Sequence, residues 1–313
     1  MSDFIPEDRP SALRRAWDSD LAYSFRTSPV ALVSGVVALV IILGAVLAPL
    51  IAPHDPFDPA TLNLMEGFTP PMEPNMMTGR VFWLGTDNQG RDVFSTILYG
   101  ARTSLFVGFA AVLFAMVLGI SLGLVAGFRG GWVDGLLMRI ADVQLTFPSI
   151  LLALLIFGVA RGFIPPGMRE ALAIWVLIVA IGLADWVQYA RVVRGATMVE
   201  KNKEYVQAAR VIGAHPIKIL VRHILPNVMG PVLVIATIGL ALAIIAEATL
   251  SFLGVGLPPT QPSLGTLIRI GQGFLFSGEW WILAFPSAAL LALALSVNLL
   301  GDWLRDALNP RLR

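Results

Sequence analysis

The 313-residue sequence contains no cysteine. That excludes disulfides, thiolate metal sites and cysteine nucleophiles, and leaves the redox compartment undetermined. Histidine is nearly as scarce. His54, His215 and His223 are too scattered along the chain to suggest a ligand cluster. Charged residues make up 14% of the chain, against about 25% in soluble domains. The net charge is +1, so no basic field points to nucleic acid. The phosphate-loop pattern G-x-x-x-x-G-K-[ST] is missing, so the chain is not expected to bind or hydrolyse ATP. An H-E-x-x-H helix is missing too, and no catalytic constellation supports an embedded enzyme. No catalytic residue, metal or cofactor is expected.

What the chain does have is apolar length, at 56% hydrophobic residues. Uncharged runs cover 27–52, 103–128, 143–160, 228–246 and 280–301, and a further run at 171–190 is broken only by Asp185. A membrane-spanning helix needs about 20 apolar residues, and buried helices of soluble proteins are usually shorter and keep a polar face. The reading is an all-α membrane protein with six transmembrane helices. The first run follows a long polar segment and exceeds the roughly 7–15 residues of a signal-peptide core, so it reads as a retained anchor.

Lys and Arg fix the expected orientation. With the amino terminus inside, 16 of the 22 fall on the cytoplasmic side, among them Arg9, Arg14, Arg15, Arg311 and Arg313. The other six are Arg80, Arg91, Arg102, Arg161, Arg169 and Arg269. This asymmetry fits the positive-inside rule with both termini cytoplasmic. The expected segments are a cytoplasmic stretch at 1–29, a first span at 30–52, an extracytoplasmic segment at 53–101, a membrane core at 102–303 and a cytoplasmic tail at 304–313. The extracytoplasmic segment is rich in proline, including Pro56, Pro59 and Pro70. Its second half predicts a short helix capped by Asp87, with Val93, Phe94, Ile97 and Leu98 on one face.

The second run carries Ala111, Ala115, Gly119, Gly123 and Gly127, each four residues from the next. Small residues at that spacing line one stripe and let another backbone approach closely. Charges inside the runs are few. Asp185 and Glu247 fall near run ends, where both are expected to reach interfacial water. Gln188, Glu247 and Asn298 are candidate pathway residues, and Gln144 is a further uncharged polar group. Pro148, Pro231 and Pro286 are expected to kink their spans. No mid-membrane pair of ionisable groups suits a proton-coupled carrier.

One polar block interrupts the apolar pattern, "KNKEYVQAARVIGAHPIKILVRHILPN" at 201–227. It holds seven of the inner cations when Arg191 and Arg194 just before it are included, so the cytoplasmic loop is taken as 191–227. Residues 201–212 predict a helix with Tyr205, Ala208, Ala209 and Ile212 on one face. Gly213 supplies a terminating position, and Pro216 suits the first turn of a second helix. Ile217, Leu220, Val221 and Ile224 would form that helix's apolar face, with Pro226 ending it. Amphipathicity alone does not choose between a lipid interface and a protein groove.

"QAARVIGAHPIKILVRHILP" resembles the signature loop of ABC-importer permease subunits, E-A-A, three residues, Gly, nine residues, Ile-x-Leu-Pro. Ala208, Ala209, Gly213, Leu225 and Pro226 match in register; Gln207 replaces the Glu and His223 the Ile. "LGTDNQGRD" (84–92), "GARTSL" (100–105), "EATLSFLGVGLPPTQPSLGTLI" (247–268) and "NLLGDWLRDALNPRLR" (298–313) are similar to the dipeptide/oligopeptide/nickel class, and to the second of its two permeases. The resemblance runs from about residue 22 to the end, with 67–80 as a looser insertion.

It implies a bacterial inner-membrane subunit paired with a second permease, above two ABC ATPase subunits. An extracytoplasmic substrate-binding protein would deliver the solute. The signature loop would form a coupling helix in an ATPase groove, with Glu204, Gln207, Ala208, Ala209, Arg210, Gly213, Pro216, Leu225 and Pro226 as its residues. Gln207 brings no charge, and Glu204 one turn earlier is the alternative carboxylate. A peptide is the expected solute; a secondary transporter working without an ATPase is the alternative.

Overall fold

The computed structural model describes residues 20–53, 55–58 and 62–307. Arg9, Arg14, Arg15, His54, Pro59, Arg311 and Arg313 lie outside them. Helices form where the apolar runs lie, because a chain surrounded by lipid must satisfy its own backbone groups. A short helix α1 (Asp20–Thr27) precedes α2 (Pro29–Val46). Ser28 caps α2 by accepting from the Ala31 N–H at 3.3 Å, and Pro29 sits at its first turn. A short helical turn, Ala48–Ile51, follows.

Helix α3 (Val93–Arg129) has 37 residues, about 55 Å at ~1.5 Å per residue. It therefore exceeds a hydrocarbon core about 30 Å thick. The expected short outer helix is thus not separate: it is the first part of α3, which starts well before residue 102. The cap also differs. Asp92 accepts from the Phe94 and Ser95 N–H groups, at 3.4 and 2.8 Å. Asp87 instead closes the preceding loop, accepting from the Gln89 and Arg91 N–H groups and pairing with the buried Arg91 side chain at 2.6 Å.

Gly130 and Gly131 both have positive φ and turn the chain from α3 into α4 (Gly131–Leu145). Helix α5 (Ser149–Phe163) leaves α4 at 97°. The run at 143–160 is therefore not one straight helix. Pro148 stands before the first residue of α5 and disfavours a helical backbone at Phe147. Gln144 holds the elbow to the next long helix: its Nε2 donates to the Leu183 and Ala184 carbonyls and its Oε1 accepts from Trp186.

That helix is α6 (Arg169–Glu200), followed by α7 (Glu204–Val211), α8 (Pro216–Phe252), α9 (Leu264–Gln272) and α10 (Trp281–Ala307). Pro231 and Pro286 lie inside continuous α8 and α10. No strand occurs among the described residues, only isolated bridges Pro74–Val81 and Thr86–Asp92. Among the described residues, five helices are long and apolar enough to cross a membrane: α2, α3, α6 with the turn before it, α8 and α10. The α4–α5 pair qualifies as a sixth only if the bent pair counts as one span.

The core follows these helices. Val107, Ala111, Phe157, Leu177 and Ile181 join α3, α5 and α6, while Val193, Val206, Ile219 and Val228 join α6, α7 and α8. Apolar side chains also point outward, including Val33, Val36 and Val40 on α2. Such a surface suits lipid tails rather than water.

Candidate functional site

Two features stand out, a seam of small residues and the bent unit at 201–227. The stripe Ala111, Ala115, Gly119, Gly123 and Gly127 is buried along α3 and faces α6. A Cβ added at Gly119 or Gly123 would sit 2.5 Å from the carbonyl oxygen of Trp186 or Ala190. At Gly127 it would lie 2.8 Å from the Arg194 oxygen. From the opposite side Gly182 approaches α3, with Phe114 and the Ala111 oxygen in its way. The two backbones thus touch over several turns, within one chain. The letters G-x-S-x-G also occur here, at 119–123. Ser121 lies mid-helix with its Oγ donating to the Val117 carbonyl at 2.7 Å, which is not the strand-to-helix elbow of a hydrolase nucleophile.

The seam ends at the loop. Lys201 Nζ donates to the Gly127 carbonyl at 2.7 Å, satisfying a carbonyl near the end of α3. Arg194 forks onto Asp134 of α4, one arm at 2.6 Å, and Arg191 pairs with Asp142. Glu200 pairs with Lys203 at 2.8 Å and accepts from the Tyr205 hydroxyl. Asn227 in turn donates to Tyr205 Oη at 3.1 Å and to the His223 carbonyl at 2.7 Å. Partial burial first, and then the Glu200 carboxylate, push the Tyr205 phenol up to about 12, so it keeps its proton at ordinary pH. This network joins the end of α6 to α7 and the start of α8.

Within α7 the buried face is Val206 and Ala209, not the expected Tyr205, Ala208, Ala209 and Ile212. Only Ala209 is shared. Tyr205, Ala208 and Ile212 are exposed, as are Glu204, Gln207 and Arg210. The Arg210 guanidinium lies over the Phe128 ring, 5.3 Å from its centre. Gly213 has φ +76° with open space around it, so its backbone conformation, not crowding, favours glycine. His215 caps the next helix through Nδ1, and Pro216 takes its first turn as expected.

Pro226 does not end that helix. Residues Leu220–Ile224 form a π turn, in which the Leu225 N–H reaches the Leu220 carbonyl. Widening the turn places the proline, which lacks an N–H, at the second residue of the following α-helical stretch. The helix is consequently continuous from Pro216 to Phe252. Its buried residues here are Ile219 and Ile224, with Leu220 half-buried, whereas Ile217 and Val221 are exposed. Periodicity at 217–224 counted α-helical turns and so missed Ile219. Val211, Ile212, Ile217 and Val221 together leave an apolar surface at the bend.

The pathway candidates are not brought together. Glu247 does not reach interfacial water: it is fully buried, and accepts from Ser104 and Ser251, each at 2.7 Å. Ser104 Oγ in turn accepts from the Leu264 N–H at 3.2 Å and Ser251 Oγ from the Leu257 N–H at 3.3 Å. The carboxylate thereby ties α3, α8 and the start of α9. Asp185 is half-buried beside Gln188 and Tyr189, Gln188 is exposed on α6, and Asn298 is half-buried on α10.

Residues 119–313 match the family described as binding-protein-dependent transport system inner membrane component. The chain belongs to this family. Residues 11–71 of the permease match the N-terminal transmembrane domain of oligopeptide transport permease C. The dipeptide transport system permease protein DppC of Haemophilus influenzae is 36% identical over 93% of this chain and 94% of its own. The oligopeptide transport system permease protein OppC of Bacillus subtilis is 37% identical over 94% and 90%. A putative peptide transport system permease protein of Brucella suis is 40% identical over 89% and 86%. Inward-facing structures of the MetNI methionine ABC transporter superpose with a TM-score of 0.49 at 20% identity, over 67% of this chain and 94% of that one. The permease is thus an inner-membrane component of a binding-protein-dependent transport system.

Proposed function

We propose that the permease is one of two that line the pore of an ATP-driven importer for peptides or a similar small solute. The solute arrives from an extracytoplasmic binding protein, and hydrolysis takes place on two ATPase subunits. In this reading the bent α4–α5 pair is the sixth span and both termini are cytoplasmic. The peptide assignment rests on what the similar permeases are named for.

The observation that carries the coupling role is the bent unit at 201–227. Its exposed apolar surface at Val211, Ile212, Ile217 and Val221 offers a face for an ATPase groove. Val206, Ala209, Ile219 and Ile224 fasten the same unit to the spans, and α8 continues from it without a break. A push on the loop is therefore delivered to a whole membrane helix. Ala208 and Gly213 keep the contact surface low, and Gln207 can hydrogen-bond there without charge. Glu204 is exposed and supplies the carboxylate that Gln207 lacks.

The test is uptake into proteoliposomes holding the permease, its partner permease, the ATPases and the binding protein. Uptake should need internal ATP and persist when an ionophore collapses ion gradients. Uptake driven by an ion gradient without ATP would reject this reading in favour of a secondary transporter.

A further inference from the structure

Arg102 aside, the outer cations divide into two sets. Arg80 pairs with Glu66 at 3.2 Å and Arg91 with Asp87 at 2.6 Å. Arg161, Arg169 and Arg269 have no carboxylate partner among the described residues, and all three line one cavity of about 230 Å³. They come from the end of α5, the start of α6 and the last turn of α9. At ~30 Å³ per water the space holds about eight waters, or a carboxylate with a short stem.

The site is shaped around these heads. Arg269 reaches in past Gly254, where an added Cβ would lie 2.5 Å from its Nη1 and where φ is +79°. A side chain at 254 would strain the backbone and block the guanidinium. Arg169 donates Nε to the Ile164 carbonyl at 3.2 Å, leaving its other N–H groups uncommitted to any carboxylate. Arg169 and Arg269 are half-buried, so their charge is incompletely hydrated. One acidic group shares the rim: Glu170, which accepts from Thr260 at 3.3 Å. Three guanidinium groups against one carboxylate leave an excess of positive charge with donors matched to a carboxylate.

We propose that this cavity binds the carboxylate end of a solute on the outer side of the membrane. The assignment to the outer side rests on the orientation proposed above. The carboxylate would take the guanidinium forks, and Glu170 would disfavour a second negative charge nearby.

The test uses the full chain in nanodiscs, alone and with its partner subunits, and ligand-observed NMR with N-acetyl-dialanine and its amide. The acid should bind at least about tenfold more tightly than the amide. R161Q/R269Q should erase that preference, while E170Q should strengthen binding of the acid and leave the amide unchanged. Equal binding of acid and amide, or variants that leave the preference intact, would overturn the proposal. E170Q keeps the test informative if the double variant misfolds, since a gain in affinity does not come from lost structure. A preference seen in phosphatidylcholine discs but lost with phosphatidylglycerol would assign the cavity to a lipid headgroup and overturn the solute assignment. Failure of ATP-driven uptake, with the binding difference intact, would count against the pore reading and not against this site.

Discussion

At Gly123 an added Cβ would meet the Ala190 carbonyl oxygen at 2.5 Å, whereas at Gly213 nothing lies within 4 Å. The first glycine is required by a neighbouring backbone, the second only favoured by its own φ of +76°. The α3–α6 seam is packed within the chain and leaves no space to fill. The unit at 201–227 leaves apolar side chains unburied and open space beside its turn. Damage to the seam should therefore appear as lost protein, and damage to the loop as lost work by intact protein.

The largest expected effect is Gly123→Leu. Overpacking a backbone contact costs about 1–3 kcal/mol or more, and here the obstacle is a carbonyl rather than a movable side chain. No monodisperse permease should be recovered by size-exclusion chromatography, and normal yield would break the comparison at its stronger end. Glu247→Ala comes next. It strips the acceptor from Ser104 and Ser251 in a fully buried site, a loss of about 2–3 kcal/mol that a lowered thermal midpoint should report.

Gly213→Asp should act in the opposite way. Aspartate tolerates a left-handed backbone at modest cost, so folding should hold within about 1–2 kcal/mol. ATP-driven uptake should fall by about tenfold or more, while ATP hydrolysis continues; full transport would remove the loop from the coupling role.

Tyr205→Phe should destabilise by about 1 kcal/mol through the lost bond to Glu200. Burial and the Glu200 carboxylate raise the phenol from 10.0 to about 12 in the folded chain. Its contribution is therefore fully present below the unfolded value of 10.0 and lost as pH rises through about 12. The difference between wild type and Tyr205→Phe should thus stay constant from about pH 6 to 9, and a difference that varies there would show that the phenol titrates earlier. The smallest expected effect is Glu204→Gln, a drop of about twofold in uptake at unchanged stability, because an exposed ion pair contributes little. Unchanged coupling would mean that Glu204 is simply solvated.

The spans were legible because lipid permits few alternatives: long uncharged runs became helices, except that the run at 143–160 breaks before Pro148, and the small-residue stripe became a seam. Faces at 201–227 were harder to read. A periodic pattern shows that an apolar stripe exists but not which neighbour covers it. Val206 is buried and Ile212 exposed because α7 joins the core of α3, α6 and α8 on one side only. Asp87 and Asp92 are equally good caps by residue type; the buried Arg91 decides between them by engaging Asp87. Glu247 stood at the edge of an apolar run, and the serines that enclose it lie at positions 104 and 251. The distant one left no local mark. The π turn was invisible because a spacing rule assumes one pitch throughout.

That π turn at Leu220–Ile224 carries one residue more than an α-helical turn would. Removing a single residue there would restore the ordinary pitch, leave the flanking helices close to their present register, and set the Pro226 ring against the carbonyl four residues before it. The helix would then kink or break at the proline, although every remaining side chain would be unaltered. Length at this point is thus under a stricter constraint than composition. Single-residue deletions between 220 and 224 should be rejected where many substitutions at Val221 or Arg222 are tolerated.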